Sequence, residues 1–146
     1  MAVLNIFKMK KVLILCTGNS CRSQIAHGFL KTFLEGTAEV FSAGVETHGV
    51  NPKAIEVMKE ENIDLSSHTS NHVDEYNNVE FDYIITVCDH AKEKCPLFIG
   101  KGERLHYNFP DPAKATGSDE EIMNEFRKVR DMIKQYSLDF TASKFV

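Results

Sequence analysis

The sequence predicts an α/β fold: one domain with a four-stranded parallel sheet flanked by helices on both faces. Two observations carry that reading. Apolar residues alternate along the chain between short continuous runs, typical of buried parallel strands, and stretches with a helical repeat. The 146 residues also suit a single domain with a core of its own, and no repeat, linker or low-complexity stretch divides them.

Residues 1–10 read as a short extension, 11–140 as the core and 141–146 as a tail expected to fray. Val12–Cys16 is a continuous apolar strand. The run from Met9 to Leu15 superficially resembles the start of a signal peptide, but its apolar part stops well short of the roughly 7–15 residues of such a segment. Ser23–Glu35 follows as a helix with Ile25, Phe29 and Phe33 on one face, ended by Gly36. Glu39–Val45 is the second strand. Asn51 caps a helix that has Pro52 in its first turn and runs to about Asn62. Tyr83–Cys88 and Leu105–Phe109 are the third and fourth strands. Ser118 and Glu121 form a capping-box pattern. Beyond it Ile122, Phe126, Val129, Ile133, Tyr136 and Phe140 recur at steps of four and three, a stripe that faces the core.

A hydrophobic share of 42% and a charged share of 26% exclude disorder. The net charge of −4 gives no footing for nucleic acid or an anionic membrane surface, and no apolar run approaches the ~20 residues of a membrane span. An anionic substrate would therefore need local attraction, because the overall field opposes it. Four cysteines, Cys16, Cys21, Cys88 and Cys95, would suit disulfide staples in a secreted domain. Without an export signal the expected compartment is the cytoplasm, where clustered cysteines point to catalysis, redox exchange or metal.

The segment Cys16-Thr17-Gly18-Asn19-Ser20-Cys21-Arg22-Ser23 joins a buried strand to an amphipathic helix. A loop there aims successive backbone N–H groups and a helix N-terminus at one point, which makes an oxyanion cradle from residues 17–22. Gly18 and Asn19 are expected to supply left-handed backbone. Arg22 offers a bidentate fork. Cys16 faces the centre, and the field that holds an anion also favours its thiolate, so it is expected to be ionised at neutral pH. Ser23 is placed to donate a hydrogen bond to that sulfur. Cys-x5-Arg alone is a weak pattern; the strand before it, Gly-Asn within it and the helix after it make it specific. Asp111-Pro112 follows the fourth strand, at the carboxyl end where open α/β sheets place their sites, and Asp111 is a candidate general acid.

Cys88 ends the third strand and Cys95 lies seven positions on, across a helix-compatible stretch. Seven helical residues separate Cα atoms by roughly 10 Å, whereas a disulfide needs them within about 7 Å. A Cys88–Cys95 disulfide would therefore unwind any helix there. Two other readings stand beside it: inert core cysteines, and a zinc site with His90 that lacks a clear fourth ligand. His48, His68, His72 and His106 read as hydrogen-bonded structural or surface histidines, with His68 able to tune the site.

The Cys16–Ser23 stretch resembles the signature of low-molecular-weight tyrosine phosphatases and of the arsenate reductases related to them. The stretch from Ser42 to Ala54, Asp64 to Ser70, Thr86-Val87-Cys88 with Cys95-Pro96, and Asp111-Pro112 resemble the thioredoxin-coupled arsenate reductases, and the likeness covers residues 11–136. It implies a relay: Cys16 attacks arsenate, Asp111 protonates the departing oxygen, Cys88 attacks the adduct to release arsenite, and Cys95 resolves Cys16–Cys88 into a Cys88–Cys95 disulfide reduced by thioredoxin. It gives Cys21 no electron-carrying role and leaves it to pack the loop. It implies a monomer with no organic cofactor. Some relatives bind potassium through acidic residues at the positions of His27 and Asn71, neither of which is acidic here. The alternative within the resemblance is a tyrosine phosphatase working through a Cys16 phosphocysteine. Ala113 and Lys114 stand where such enzymes carry the aromatic wall of a phenol pocket. A non-enzymatic oxyanion or redox sensor is the third reading, and the retained general acid speaks against it.

Overall fold

A computed structural model describes residues 9–94 and 102–145. Four strands, β1 (Lys10–Cys16), β2 (Ala38–Gly44), β3 (Tyr83–Thr86) and β4 (Glu103–His106), form one sheet in the order β2-β1-β3-β4. Every pairing is parallel. All four carboxyl ends therefore point the same way. In the central strand Val12, Leu13, Ile14 and Leu15 are wholly inaccessible, so both faces of the sheet are covered, as their unbroken apolar run requires.

Helices α1 (Arg22–Phe33), α2 (Pro52–Lys59) and α4 (Asp119–Phe145) pack on one another, and α3 (Asp89–Lys94) packs against β1 and β3. Ile25, Phe29 and Leu30 of α1 meet Phe126, Val129 and Ile133 of α4 in one continuous core. Gly36 closes the loop after α1 at φ 76°. Asn51 caps α2 by accepting from the Lys53 backbone N–H at 2.8 Å. The Ser118–Glu121 box is present in both directions, at 3.1 and 3.2 Å.

The differences from the sequence reading lie at element ends. β3 stops at Thr86 because the chain turns there into α3, and β4 starts earlier and ends at His106. The helix expected to fray after Phe140 continues to Phe145, whose ring packs on Tyr83 and Phe140. Short 3-10 turns at Val73–Tyr76 and Pro112–Lys114 add to the elements that the sequence pattern predicts. Cys95 lies outside the described residues. No described helix is long and apolar enough to cross a membrane.

Candidate active site

The chain leaves β1 at Cys16 and enters α1 at Arg22, and the loop between is held from outside. The carbonyls of Cys16, Thr17, Gly18, Ser20 and Cys21 accept from the backbone N–H groups of Val45, Glu46, His48, Asn51 and Ile25, at 2.9–3.3 Å. Ser70 Oγ donates to the Gly18 and Asn19 carbonyls at 2.8 and 2.9 Å, and Gln24 Nε2 donates to that of Asn19 at 3.2 Å. With the carbonyls tied outward, the loop turns its amides inward, which is how a chain of neutral peptides builds a positive concavity.

Asn19 has φ 49°, as its residue type suggested. It is fully buried behind the loop: its Oδ1 accepts from the Asn71 N–H at 2.8 Å and its Nδ2 donates to Ser23 Oγ at 2.8 Å. Gly18 is not left-handed, contrary to expectation. It is glycine for want of space, since a Cβ there would lie 2.3 Å from His48 Nδ1. Gly44 is confined by backbone instead, a Cβ meeting Glu46 O at 2.4 Å and Asn19 N at 2.7 Å. Ser23, expected to donate to Cys16, is also fully buried and serves the Asn19 amide.

The loop opens into a cleft of about 540 Å³ at the carboxyl ends of the strands. Cys16, Thr17, Gly18, Ser20, Cys21 and Arg22 line its floor, and Cys88 and Asp111 its walls. Arg22 donates from Nη1 to the Phe109 carbonyl at 3.0 Å and brings Nη2 to 3.6 Å from Asp111 Oδ2. Asp111 Oδ1 accepts from the Ala113 N–H at 3.0 Å, which fixes the carboxyl at the mouth. Cys21 is buried, and burial pushes its thiol up to about 12, so it packs the loop as an uncharged group.

Two sulfurs remain. Cys88 lines the same cleft as Cys16, lies 3.3 Å from Thr17 Oγ1, and accepts from the Ala91 N–H at 3.4 Å. The Cys88 thiol is pulled down to about 5, first by its bond with Cys16 and then by Thr17 and the Ala91 amide against the cost of burial. Cys16 is pushed up, first by the same bond and second by burial, against the pull of Arg22. The two thiols therefore shift in opposite directions, Cys16 upward and Cys88 downward, because each bears on the other's ionisation. Beside the expectation of an ionised Cys16 stands a second sulfur that competes for the same anion and, with burial, works against the pull of Arg22.

Sequence reasoning missed Glu46, His48, Asp89 and Asn108 in the cleft wall, while Ala113 and Lys114 stand there as it expected. His48 Nε2 pairs with Glu46 Oε2 at 3.1 Å. Only the tight Gly18 hinted at His48; nothing local marks Asn108. His68 sits behind the loop, its Nδ1 3.0 Å from Gln24 Oε1, and its ring lies 4.7 Å from that of His27. His27 meets Ser42 Oγ at 2.7 Å, while Asn71 accepts from Thr69 Oγ1 and donates to Glu75. Among the described residues no cluster of three or more His, Cys, Asp or Glu is arranged for a metal ion, and Cys88 with His90 forms none.

The family model for low molecular weight phosphotyrosine protein phosphatases matches residues 11–143. An arsenate reductase of Halalkalibacterium halodurans is 49% identical over 124 residues, which span 85% of this chain and 89% of that protein. One of Bacillus subtilis is 45% identical over the same shares. A solved arsenate reductase in the phosphate binding state superposes with TM-score 0.79 at 34% identity, covering 92% of this chain and 98% of its own. A low molecular weight protein tyrosine phosphatase from T. tengcongensis, at 22% identity and TM-score 0.77, shares the fold.

Proposed function

From the premise that the chain belongs to the low molecular weight phosphotyrosine protein phosphatase family, we propose that it is an arsenate reductase that passes electrons through its own cysteines. The observation that supports this best is that Cys16 and Cys88 share one cleft over an anion cradle. Hydrolysis of a phosphate ester needs only a nucleophile, an arginine and an acid. A second sulfur against the nucleophile is needed only where the bound atom can accept electrons, as arsenic(V) does.

Arsenate enters the cradle made by the amides of residues 17–22 and the Arg22 fork. A proton passes from Cys16 to Cys88. The Cys16 thiolate attacks arsenic, an As–O bond breaks, and Asp111 protonates the departing oxygen so that it leaves as water. Cys88 returns its proton to the Asp111 carboxylate and attacks the Cys16 sulfur. The S–As bond breaks and its electron pair stays on arsenic, which leaves as arsenite. Overall, dihydrogen arsenate, one thiolate, one thiol and one proton from solvent give dihydrogen arsenite, water and one disulfide, so atoms and charge balance. Cys95 then attacks Cys88, freeing Cys16, and the Cys88–Cys95 disulfide is reduced by thioredoxin in the cytoplasm. Ser23 acts through Asn19 to hold the loop rather than on the sulfur. Among the described lining residues, Ala113 and Lys114 occupy the wall where an aromatic face would meet a phenol.

The reaction needs no cofactor. A potassium ion behind the loop would want charged oxygens, whereas His27 is held neutral by burial and Asn71 is already bonded to Thr69 and Glu75. The test is arsenate-dependent NADPH consumption with thioredoxin and its reductase, on wild type and Cys95→Ser. The relay gives sustained turnover in the first and a single round of arsenite release in the second. Rapid cleavage of an aryl phosphate with no arsenate-dependent consumption would replace this reading with the phosphatase one.

A further inference from the structure

Building on the relay above, we propose that His106 is a positioning residue that acts through Asp89 to hold Cys88 against Cys16. His106 ends β4 and is not part of the cleft lining. Its Nε2 lies 2.8 Å from Asp89 Oδ1 and its Nδ1 lies 2.7 Å from Thr86 Oγ1. Asp89 follows Cys88 directly and is the first residue of α3. The same residue is held by its backbone, its N–H donating to Asn108 Oδ1 at 3.2 Å. One sheet edge therefore grips residue 89 twice, at the point where the chain leaves β3 for α3.

What the grip fixes is the first turn of α3, and with it the Ala91 N–H that bonds Cys88 Sγ at 3.4 Å. A helix of six residues is too short to sustain its own geometry, because nucleation costs more than so few internal bonds return. Its orientation must come from contacts such as this clamp. The hydrogen-bond logic identifies the ring's form. Nε2 faces a carboxylate and so carries its hydrogen, donating to Asp89. Nδ1 is then free to accept from the Thr86 hydroxyl. A glutamine at 106 carries the same donor and acceptor on one planar group; an alanine carries neither.

Cys88 attacks the Cys16 sulfur from the cleft wall, where the Ala91 N–H holds its sulfur. Loosening the clamp should slow that attack while leaving the cradle, which His106 does not touch, intact. The experiment is single-turnover arsenite release by excess reduced enzyme without thioredoxin, with inorganic phosphate affinity measured on the same samples by calorimetry. His106→Ala is expected to slow release about tenfold, as loss of one well-placed hydrogen bond would, with phosphate affinity held within about twofold. His106→Gln should regain most of the rate. Asp89→Ala combined with His106→Ala should be no slower than the slower of the two single variants, since both remove one contact. Release at the wild-type rate in His106→Ala, loss of phosphate affinity in step with rate, or a glutamine variant no better than alanine would overturn the clamp. Absence of arsenite from the wild type itself would instead overturn the reading on which it rests.

Discussion

His27 carries a cost that the fold imposes on one side chain. Burial first, then His68 and Lys31, hold its imidazole down to about 3, against 6.5 for the free group. The unfolded chain therefore binds a proton that the folded chain refuses. The stabilising contribution is complete above 6.5 and is lost as the pH falls from there towards about 3. At pH 5 this one residue should have cost about 2 kcal/mol of stability. Urea unfolding at pH 7 and pH 5 measures it, and His27→Gln should flatten the slope. The half-buried His68, also held below its usual range by burial, adds in the same direction. At this scale the sequence was most legible where chemistry is contiguous. Cys16, Arg22 and the left-handed Asn19 stand within seven residues, and their types alone announce the loop. The ionisation of Cys16 was not legible, because it depends on a partner 72 positions away whose approach only the sheet creates. Asn108 escaped notice for the same reason, and His106 was legible as a hydrogen-bonded histidine but not as the partner of Asp89.

Among the elements, α4 shows how a periodic signal ends before the structure does. Its stripe of four-and-three steps runs out at Phe140, since the next position in step is Ser143, and a polar residue there followed by Lys144 reads as a solvated end. In the folded chain Lys144 pairs with Glu103 of β4 at 2.9 Å, and Phe145 closes over Tyr83 and Phe140 at centroid distances of 5.6 and 5.9 Å. The last turn is thus pinned to the sheet. Phe145→Ala should cost about 1–2 kcal/mol, less than a fully buried phenylalanine because the ring is only partly covered. Thermal unfolding checks it, and a tail that truly frayed would show no change. Strand and helix centres were readable because burial on both faces leaves an unbroken apolar run. Strand ends were not, because β3 and β4 stop where the tertiary path turns rather than where hydrophobicity falls.

For the whole molecule, four parallel strands deliver their ends to one side, and the cradle, the acid and the second sulfur all arrive there from separate segments. An oxyanion bound at that meeting point ties those segments together only in the folded state. Inorganic phosphate at a hundredfold its dissociation constant should therefore stabilise the fold by about 2.7 kcal/mol, raising the melting temperature by roughly 5–10 °C. Differential scanning fluorimetry reads the shift, and Arg22→Ala should abolish it. The architecture was legible as a class from the alternation of elements, whereas their convergence on one cleft emerges only once the strands are placed side by side.

The acidic side chains around the cleft bear on which form of an oxyanion is admitted. Glu46, Asp89 and Asp111 stand around the cleft, with Arg22 and Lys114 as its arginine and lysine complement. A newcomer bearing two charges would crowd a chamber that is already negative, while one that arrives with its own hydrogens would not. The three carboxylates thus favour the more protonated species of a tetrahedral oxyanion, before any bond to sulfur is made.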